Sequence, residues 1–397
     1  MIGLRSRTAL VLAAGLAVLS GCAAPADTAD APVANTVIGG DDRNGEYVPV
    51  NWMKLDKNHV AGEVEWGQHS GVSAIDPNRV FVVTWGDMDK AGKVQVADPV
   101  GGPTHMIVVL DREGNVIENW SQWDTLMHTP HDIYVDPYDP AMPVWVVERG
   151  TSGGKTMEIL KFSNDGKELL MRLGKGETPP ASVNEARGRK PGPFQYGQPA
   201  KMAFYPNGDF IVGDGYWNCR VIRYNAAGEF LSEFGSCPTG SGPNGEDADG
   251  EFDTVHGLGI DRDGRIYVAD RSNDRIQVFE ANGTHVATWP NVNSPACVWV
   301  DESNAVWVCG RTTNRMLKYD TEGHLLYHWG TFGGNAGGFD GGLGGFARVH
   351  GVSVDREGNF YVANFDGAVT GKFSPKPGAD RSRLVLPLMK VGSAPTN

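Results

Sequence analysis

The stretch HGLGIDRDGRIYVADRSNDRIQVF, residues 256–279, decides the fold. Apolar residues alternate along it with small or polar ones at a period of two, which is the spacing of side chains on the two faces of a β-strand. The Asp-Gly pair at 263–264 interrupts this alternation, as a tight turn between antiparallel strands does. The stretch therefore predicts consecutive β-hairpins.

The same pattern recurs along the chain. A second copy, HGVSVDREGNFYVAN, begins at residue 350, and weaker copies begin near residues 71, 131, 200 and 296. Units of four short strands that repeat every 40–45 residues or so are typical of propeller blades. The sequence therefore predicts an all-β fold, a six-bladed β-propeller, over residues 46–390. Either residues 48–55 or residues 383–389 would close the ring, and the pattern does not choose between them.

Histidine occupies one equivalent position in alternate units. With the units aligned on the Asp or Tyr that ends the first strand, the residues five positions earlier are Gly71, His131, Ala200, His256, Ala296 and His350. The first strands line the channel of a propeller, so alternate blades would bring three imidazoles together on the axis. Such a cluster suits zinc, with further positions open to water or substrate. Any one of these histidines, taken alone, is better explained as a hydrogen-bonded core residue.

A second ring of polar and aromatic residues follows the second strand of each unit. Its members are Trp85, Arg149, Gly215 with Tyr216, Arg271, Arg311 and Phe365. Guanidinium groups bind carboxylates through two parallel hydrogen bonds, so this ring predicts a pocket for an anionic group. Arg348, two residues before His350, adds to the same positive field. The alternative, for Arg311 in particular, is a surface ion pair with a neighbouring Asp or Glu.

The repeats resemble those of NHL-type β-propellers over roughly residues 60–375. More specifically, the segments GQHSGV (67–72), GDGYWNCR (213–220) and ADRSNDRIQ (269–277), with the pair Pro130-His131, are similar to the core of the peptidyl-α-hydroxyglycine α-amidating lyases. Members of that family cleave the C–N bond of a carbinolamide, giving a terminal amide and glyoxylate.

The resemblance assigns roles to individual residues. It implies zinc bound by the three axial histidines, which would lower the pKa of a bound hydroxyl so that the carbinol collapses to a carbonyl. It implies proton transfer by Tyr216 and substrate orientation by Arg271. The alternative for Tyr216 is a stacked structural residue. The resemblance also implies a calcium ion deeper in the channel.

Three features depart from the family. The family's second substrate-side arginine, in an Arg-Gly-Asp setting of blade 1, is replaced here by Trp85, and we expect Arg149 to substitute for it. The family's third histidine precedes a calcium-binding aspartate, whereas Gly351 follows His350; Asp132 is the pseudo-symmetric replacement and predicts a calcium site. No copper monooxygenase domain is apparent in these 397 residues. The expected substrate is therefore a small anionic or peptide-like molecule, a carboxylate-bearing carbinolamide in the first instance.

The N-terminus has the features of a targeting segment. Two arginines precede an apolar run, 9–19, that is too short to span a bilayer, and the sequence LSGC ending at Cys22 resembles the lipobox of bacterial lipoproteins. This predicts a signal peptide over 1–21, a lipidated Cys22 and a flexible tether over 22–45. The alternative is an ordinary secretory signal. Ala23 after the cysteine favours the outer membrane, facing the periplasm or the cell surface.

Export to an oxidising compartment permits disulfides between the other four cysteines. Cys297 and Cys309 lie on two apolar runs that a hairpin would set opposite each other, which predicts a cross-strand disulfide. Cys219 and Cys237 are the remaining pairing. The net charge of -13 and the lack of a basic run argue against nucleic acid as a partner. We expect a monomer that meets the membrane only through its lipid.

Three functional classes are therefore open. The leading hypothesis is a zinc-dependent C–N lyase that acts outside the cytoplasm. The second is a non-enzymatic NHL scaffold at the cell surface, which binds a peptide or glycan and keeps the histidines as relics. The third is a metal-dependent hydrolase or lactonase on a similar propeller, but such sites use carboxylates with asparagine, which the predicted axis lacks.

Overall fold

The computed structural model describes residues 43–54, 64–89, 105–150, 157–178, 180, 182–187, 190–239, 247–330, 346–366 and 369–388. All of them lie in the larger of two structural units, 36–397. They form six antiparallel sheets of four strands each, and each sheet is one blade. The predicted six-bladed β-propeller is confirmed.

The four strands of each blade follow one another outward from the axis. The first strands of blades 1 to 6 are β3 (His69–Asp76), β8 (Pro130–Val135), β12 (Lys201–Phe204), β16 (Val255–Ile260), β20 (Pro295–Val300) and β24 (Val349–Val354). The second strands are β4 (Arg79–Thr84), β9 (Val144–Glu148), β13 (Phe210–Asp214), β17 (Ile266–Asp270), β21 (Val306–Gly310) and β25 (Phe360–Asn364). The third strands are β6 (Ile107–Leu110), β10 (Glu158–Phe162), β14 (Arg220–Tyr224), β18 (Arg275–Phe279), β22 (Arg315–Tyr319) and β26 (Val369–Pro375). The outermost strands are β7 (Val116–Asn119), β11 (Leu169–Leu173), β15 (Phe230–Phe234), β19 (His285–Trp289), β23 (Leu325–Trp329) and β1 (Tyr47–Val50).

A few small elements lie outside the blades. Strands β2 (Val64–Trp66) and β5 (Asp87–Asp89) pair with each other. Within the described ranges, a short α-helix, α1, spans Val183–Arg187, and 3₁₀ helices span Ser121–Leu126, Arg271–Asn273 and Arg381–Arg383. Across the described ranges, no helix has the length and apolar character needed to cross a membrane.

The N-terminal strand closes the ring. The first strands contact one another around the axis, and β24 of blade 6 contacts β3 of blade 1. Strand β1 pairs with β26 as the outermost strand of blade 6, with Tyr47 opposite Pro375 and Val50 opposite Lys372. Of the two predicted closing segments, the structure therefore uses the N-terminal one. The C-terminal residues instead cover blade 5, where the Trp299 indole donates to the Leu386 carbonyl.

Aspartates after the first strands hold the hairpin turns. The Asp261 carboxylate accepts hydrogen bonds from the backbone N–H groups of Asp263 (3.0 Å) and Arg265 (2.8 Å) and from the Tyr267 hydroxyl (2.9 Å). Asp355 makes the equivalent set of bonds in blade 6. Because each carboxylate satisfies amide groups that the turn leaves unpaired, it fixes the hairpin length and hence the register of the two strands.

A polar residue at the end of the second strand holds the segment that leads into the first strand of the same blade. The pairs of side-chain acceptor and backbone N–H donor are Glu148 with Thr129 (3.1 Å), Asp214 with Gly197 (2.7 Å), Asp270 with Asp253 (2.8 Å) and Asn364 with Ala347 (2.9 Å). Two or three residues after each of these N–H donors comes the axial residue of the blade, namely His131, Ala200, His256 or His350. In these four blades the bond thus helps to fix the height of the axial residue.

The cysteines pair as expected where they are described. Cys219 forms a disulfide with Cys237, and Cys297 forms one with Cys309 across the first two strands of blade 5. The predicted signal peptide, the lipidated Cys22 and nearly all of the tether lie outside the described residues.

Removal of the closing side chain is expected to loosen the whole ring. Tyr47 is fully buried, and its hydroxyl bonds the Val385 carbonyl (3.2 Å) and N–H (2.9 Å). Tyr47→Ala should lower the free energy of unfolding in urea by about 3–5 kcal/mol, the usual cost of truncating a buried aromatic residue. Val48→Ala, on the same strand at 46% exposure, is the control and should change it by no more than about 0.5 kcal/mol. Equal losses in both variants would contradict closure through Tyr47.

Candidate metal centre

The three predicted histidines meet on the axis. His131 on β8, His256 on β16 and His350 on β24 are 1%, 0% and 3% exposed, and one ring nitrogen from each lies within 4.8 Å of the other two. They come from blades 2, 4 and 6. No other group of this kind occurs in the described part of the chain.

Backbone carbonyl groups of the neighbouring blades orient all three rings. The Nδ1 atoms of His131, His256 and His350 lie 2.7, 2.9 and 2.6 Å from the carbonyl oxygens of Ala200, Ala296 and Ser70, respectively. A carbonyl oxygen can only accept, so each Nδ1 carries the proton and each Nε2 keeps its lone pair. This is the usual outer-shell arrangement of a metal-binding histidine.

The surroundings keep the imidazoles neutral. Burial lowers the pKa of all three histidines well below the ordinary value of 6.5, and the Lys201 ammonium lowers each of them further. Arg149 has the same effect on His131, and Arg271 on His256. A neutral imidazole is the form that binds a metal. The donor set therefore fits a transition metal such as zinc, which accepts three histidine nitrogens and keeps further positions open.

Tyr216 lies at the open side of the histidine cluster. Its hydroxyl is 3.0 Å from the Nε2 atoms of both His131 and His256, and it accepts a hydrogen bond from the Arg271 guanidinium (3.2 Å). The preceding Gly215 makes this approach possible, because a Cβ atom there would lie 2.0 Å from the Val255 carbonyl oxygen. The phenol group is thus within hydrogen-bonding reach of two of the three histidines that would hold a metal.

Arginine and aromatic side chains surround Tyr216. The guanidinium groups of Arg149 and Arg271 lie 5.3 and 5.1 Å from the centre of its ring, and Arg149 lies 5.3 Å from the Trp85 ring as well. Phe365 stacks on the His350 imidazole at 5.2 Å and contacts the edge of Trp85. Five members of the second ring, Trp85, Arg149, Tyr216, Arg271 and Phe365, therefore lie together beside the histidines, and their role as a pocket for an anionic group stays a prediction.

The two remaining arginines differ in their environments. Arg311 is half-buried, and its Nε atom has no hydrogen-bond partner among the described residues. Burial lowers its pKa, and the neighbouring charges of Arg271 and Arg348 lower it further. Arg348 is exposed and forms an ion pair with Asp366 (2.9 Å) at the rim. A surface ion pair was the alternative for Arg311, but among the described residues it is Arg348 that forms one. The role of Arg348 in substrate binding stays a prediction.

Lys201 is the residue near the centre that the sequence reasoning missed. Its ammonium group lies 2.6 Å from the Asp132 carboxylate, at which a calcium ion was expected. The sequence did contain a signal for this ion pair. At the position directly after the axial residue, one unit has Asp132 and another has Lys201, whereas the other four units have no charged residue there. The calcium site stays a prediction, and the carboxylate proposed for it already has a cationic partner.

A family model described as NHL repeat matches residues 252–279. This match covers β16, β17 and β18, that is, most of blade 4. Together with the six blades it shows a six-bladed β-propeller that contains an NHL repeat in blade 4.

The chain is also similar to individual curated proteins, among them an amidating lyase. The chain is 30% identical to peptidyl-alpha-hydroxyglycine alpha-amidating lyase 1 of Drosophila melanogaster over 264 residues, which are 62% of this chain and 44% of the fly protein. It is 29% identical to NHL repeat-containing protein 3 of Homo sapiens over 188 residues, 47% of this chain and 48% of the human protein. The chain thus spans less than half the length of these curated relatives. The similarity to the amidating lyases that the sequence motifs indicated is confirmed.

Solved structures agree on the fold. A streptogramin B lyase aligns over 79% of this chain and 97% of its own, with a TM-score of 0.50 and 13% identity. A gluconolactonase from Xanthomonas campestris aligns over 84% of this chain and 98% of its own, with a TM-score of 0.50 and 12% identity. At such identities the likeness supports the propeller architecture alone.

Metal binding at pH 6 is expected to release almost no protons from the histidines, because their lowered pKa values leave them neutral in the metal-free protein. Three imidazoles with the ordinary pKa of about 6.5 would together release about two protons at this pH. Calorimetric titration with Co²⁺ in two buffers of different ionisation enthalpy measures the number. A release of two protons would contradict the neutral state.

Proposed function

We propose that the protein is a metal-dependent lyase, with zinc as its metal, that cleaves the C–N bond of a small carboxylate-bearing carbinolamide to an amide and glyoxylate. The observation that carries the proposal is the hydroxyl group of Tyr216 at 3.0 Å from two of three convergent neutral histidines. The relatives named as amidating lyases support the reaction type. The proposal explains why the axis holds imidazoles and why its mouth holds arginines.

His131, His256 and His350 would hold the zinc ion through their Nε2 atoms. When bound, zinc supplies Lewis acidity that lowers the pKa of the substrate hydroxyl. The carbonyl groups of Ala200, Ala296 and Ser70 keep the three rings in the required tautomer and orientation.

The reaction needs one net proton transfer. The hydroxyl proton leaves its oxygen, the C–O bond becomes a C=O bond, and the electron pair of the breaking C–N bond goes to nitrogen, which takes up a proton. In our proposal Tyr216 carries this proton from oxygen to nitrogen. The Arg271 guanidinium donates to the Tyr216 hydroxyl (3.2 Å), and this bond would stabilise the phenolate form during the transfer.

The arginines would hold the substrate carboxylate. The guanidinium groups of Arg149 and Arg271 lie 5.3 and 5.1 Å from the centre of the Tyr216 ring, and no ion pair engages either of them within the described residues. In this proposal Arg149 takes the role of the arginine that blade 1 lacks, and Trp85 supports it through the contact of its ring with the guanidinium group. Arg311, whose buried Nε atom has no hydrogen-bond partner in the part of the chain that the structure describes, adds a third donor on the side of blade 5.

The metal is tested first, by elemental analysis of the purified chain. About one zinc or other transition-metal ion per chain is expected, and His256→Ala should lose it, because two imidazoles rarely hold zinc. His324→Ala is the matched control, since His324 is exposed and pairs with Asp320 on the surface. An absence of metal even after reconstitution would favour the non-enzymatic scaffold.

The chemistry is tested with N-benzoyl-α-hydroxyglycine and detection of glyoxylate. Arg149→Ala should lower kcat/KM by about 100-fold, because a charge-assisted carboxylate contact contributes about 1.5–3 kcal/mol, and Arg149→Lys should recover part of the loss. Arg112→Ala, which removes an exposed ion pair with Glu357, is the control and should leave the rate unchanged. If Arg149→Ala matches the control, Arg149 does not substitute for the missing arginine.

We further propose that the protein is exported and anchored by lipid on Cys22, with its propeller in the periplasm or at the cell surface. The two disulfides, Cys219–Cys237 and Cys297–Cys309, support an oxidising compartment. Incorporation of labelled palmitate into the wild type and its loss in Cys22→Ser would support the anchor. Label retained in Cys22→Ser would exclude it.

A further inference from the structure

A buried ion pair lies on the axis directly beyond the histidines. Lys201 and Asp132 each follow the axial position of their blade, and the Lys201 ammonium lies 2.6 Å from the Asp132 carboxylate. Their side chains are 2% and 7% exposed. An ion pair so far from water persists only where the geometry is good and other hydrogen bonds satisfy both partners.

Both partners are well satisfied. The Lys201 ammonium also donates to the carbonyl oxygen of His350 (2.6 Å). The Asp132 carboxylate accepts from the Tyr134 hydroxyl (2.8 Å) and from the backbone N–H of Ile133 (2.9 Å). Room for the carboxylate exists because residue 71 is glycine: a Cβ atom there would lie 2.2 Å from the carboxylate oxygen.

The ammonium group therefore connects strands that carry the metal ligands. Asp132 is adjacent to His131 on β8, and the accepting carbonyl belongs to His350 itself on β24. Lys201 stands on β12, the first strand of a blade that contributes no histidine. One side chain thus fixes two of the three histidine-bearing strands relative to each other.

The oxygen atoms around the Lys201 ammonium are hard ligands. A carboxylate and a backbone carbonyl are the donors that a divalent cation such as Ca²⁺ prefers. The ammonium supplies positive charge at the same point without needing an ion from solution.

We infer that Lys201 is a positioning residue that takes the place of a second, hard cation on the axis and, through Asp132 and the His350 carbonyl, sets the geometry of the histidine cluster. The positioning role rests on the proposed metal site, whereas the replacement of a hard cation by the Lys201 ammonium does not. It predicts that the native chain gains nothing from calcium and that loss of the ammonium creates a calcium site.

The calcium test uses thermal unfolding of the full chain. With up to 10 mM Ca²⁺, the Tm of the unaltered protein should not change, whereas the lower Tm of Lys201→Met should rise by about 2 °C or more, because only the variant offers free oxygen ligands. Lys167→Met removes the lysine of an exposed ion pair with Asp165 and is the control for loss of an ammonium group. A calcium-dependent rise in the unaltered chain, or none in Lys201→Met, would overturn the cation role.

The geometry test uses Co²⁺ affinity and the visible spectrum of bound Co²⁺. Lys201→Met and Asp132→Asn should each weaken binding at least tenfold and shift the spectrum, and the double variant should be no worse than either one, since the two residues act as a pair. If charge alone mattered, the two single variants would shift affinity in opposite directions, and that result would overturn the positioning role. Unchanged spectra would overturn it too.

Two further outcomes separate the inference from the proposed function. If Lys201→Met does not fold, Asp132→Asn/Lys201→Met, which buries no unpaired charge, carries the Co²⁺ test. If the unaltered chain binds no Co²⁺, the proposed metal site and the positioning role fall together, while the calcium result still decides the cation role by itself.

Discussion

The pairing of strand β1 with β26 is the constraint on which the rest of the structure depends. A propeller has an active centre only if its blades stand at fixed angles around one axis, and here the last blade is completed by the first strand of the described chain. The histidines come from blades 2, 4 and 6, so an opening anywhere in the ring would separate them. The buried hydroxyl of Tyr47, bonded to Val385, adds the C-terminal segment to the same closure.

Within the closed ring, adjacent blades together position the residues at the centre. Each axial imidazole is oriented by a carbonyl group of the next blade, so blades without histidine still determine the ligand geometry. Burial lowers the pKa of the three imidazoles, and the positive charges of Lys201, Arg149 and Arg271 lower it further. The same arginines give the mouth of the pocket a charge that an anion would neutralise. The proposed metal binding and the proposed anion binding would thus depend on one electrostatic arrangement.

The repeat register carried most of what could be predicted from the sequence. It identified the blades and the axial position of His131, His256 and His350, because a period-two pattern with fixed turns leaves little freedom in the height of a side chain. It also brought Tyr216, Arg149 and Arg271 to one mouth. The repeat register could not predict which segment closes the ring, because the closing strand β1 has too few residues to show a pattern.

The partners of individual charged side chains also could not be predicted from the sequence. Lys201 and Asp132 stand at equivalent positions of neighbouring blades, but only the folded ring shows that an ammonium and a carboxylate meet there. Arg348 is a second example, because its guanidinium forms an ion pair with Asp366 that the sequence did not indicate. Sequence alone does not state which of several nearby acids an arginine selects, as that choice depends on side-chain rotamers and solvent.

The ion pair on the axis also affects how small molecules could move along the central channel. The three imidazole rings lie with their centres within 4.9 Å of one another, and the Lys201–Asp132 pair follows them, at a cavity that both of these residues and Trp299 help to line. Among the described residues, the rings and the ion pair thus stand between Tyr216 and this cavity. A molecule that passed along the axis from Tyr216 to the cavity would first have to separate an ammonium from a carboxylate, so the ion pair would act as a barrier between the two.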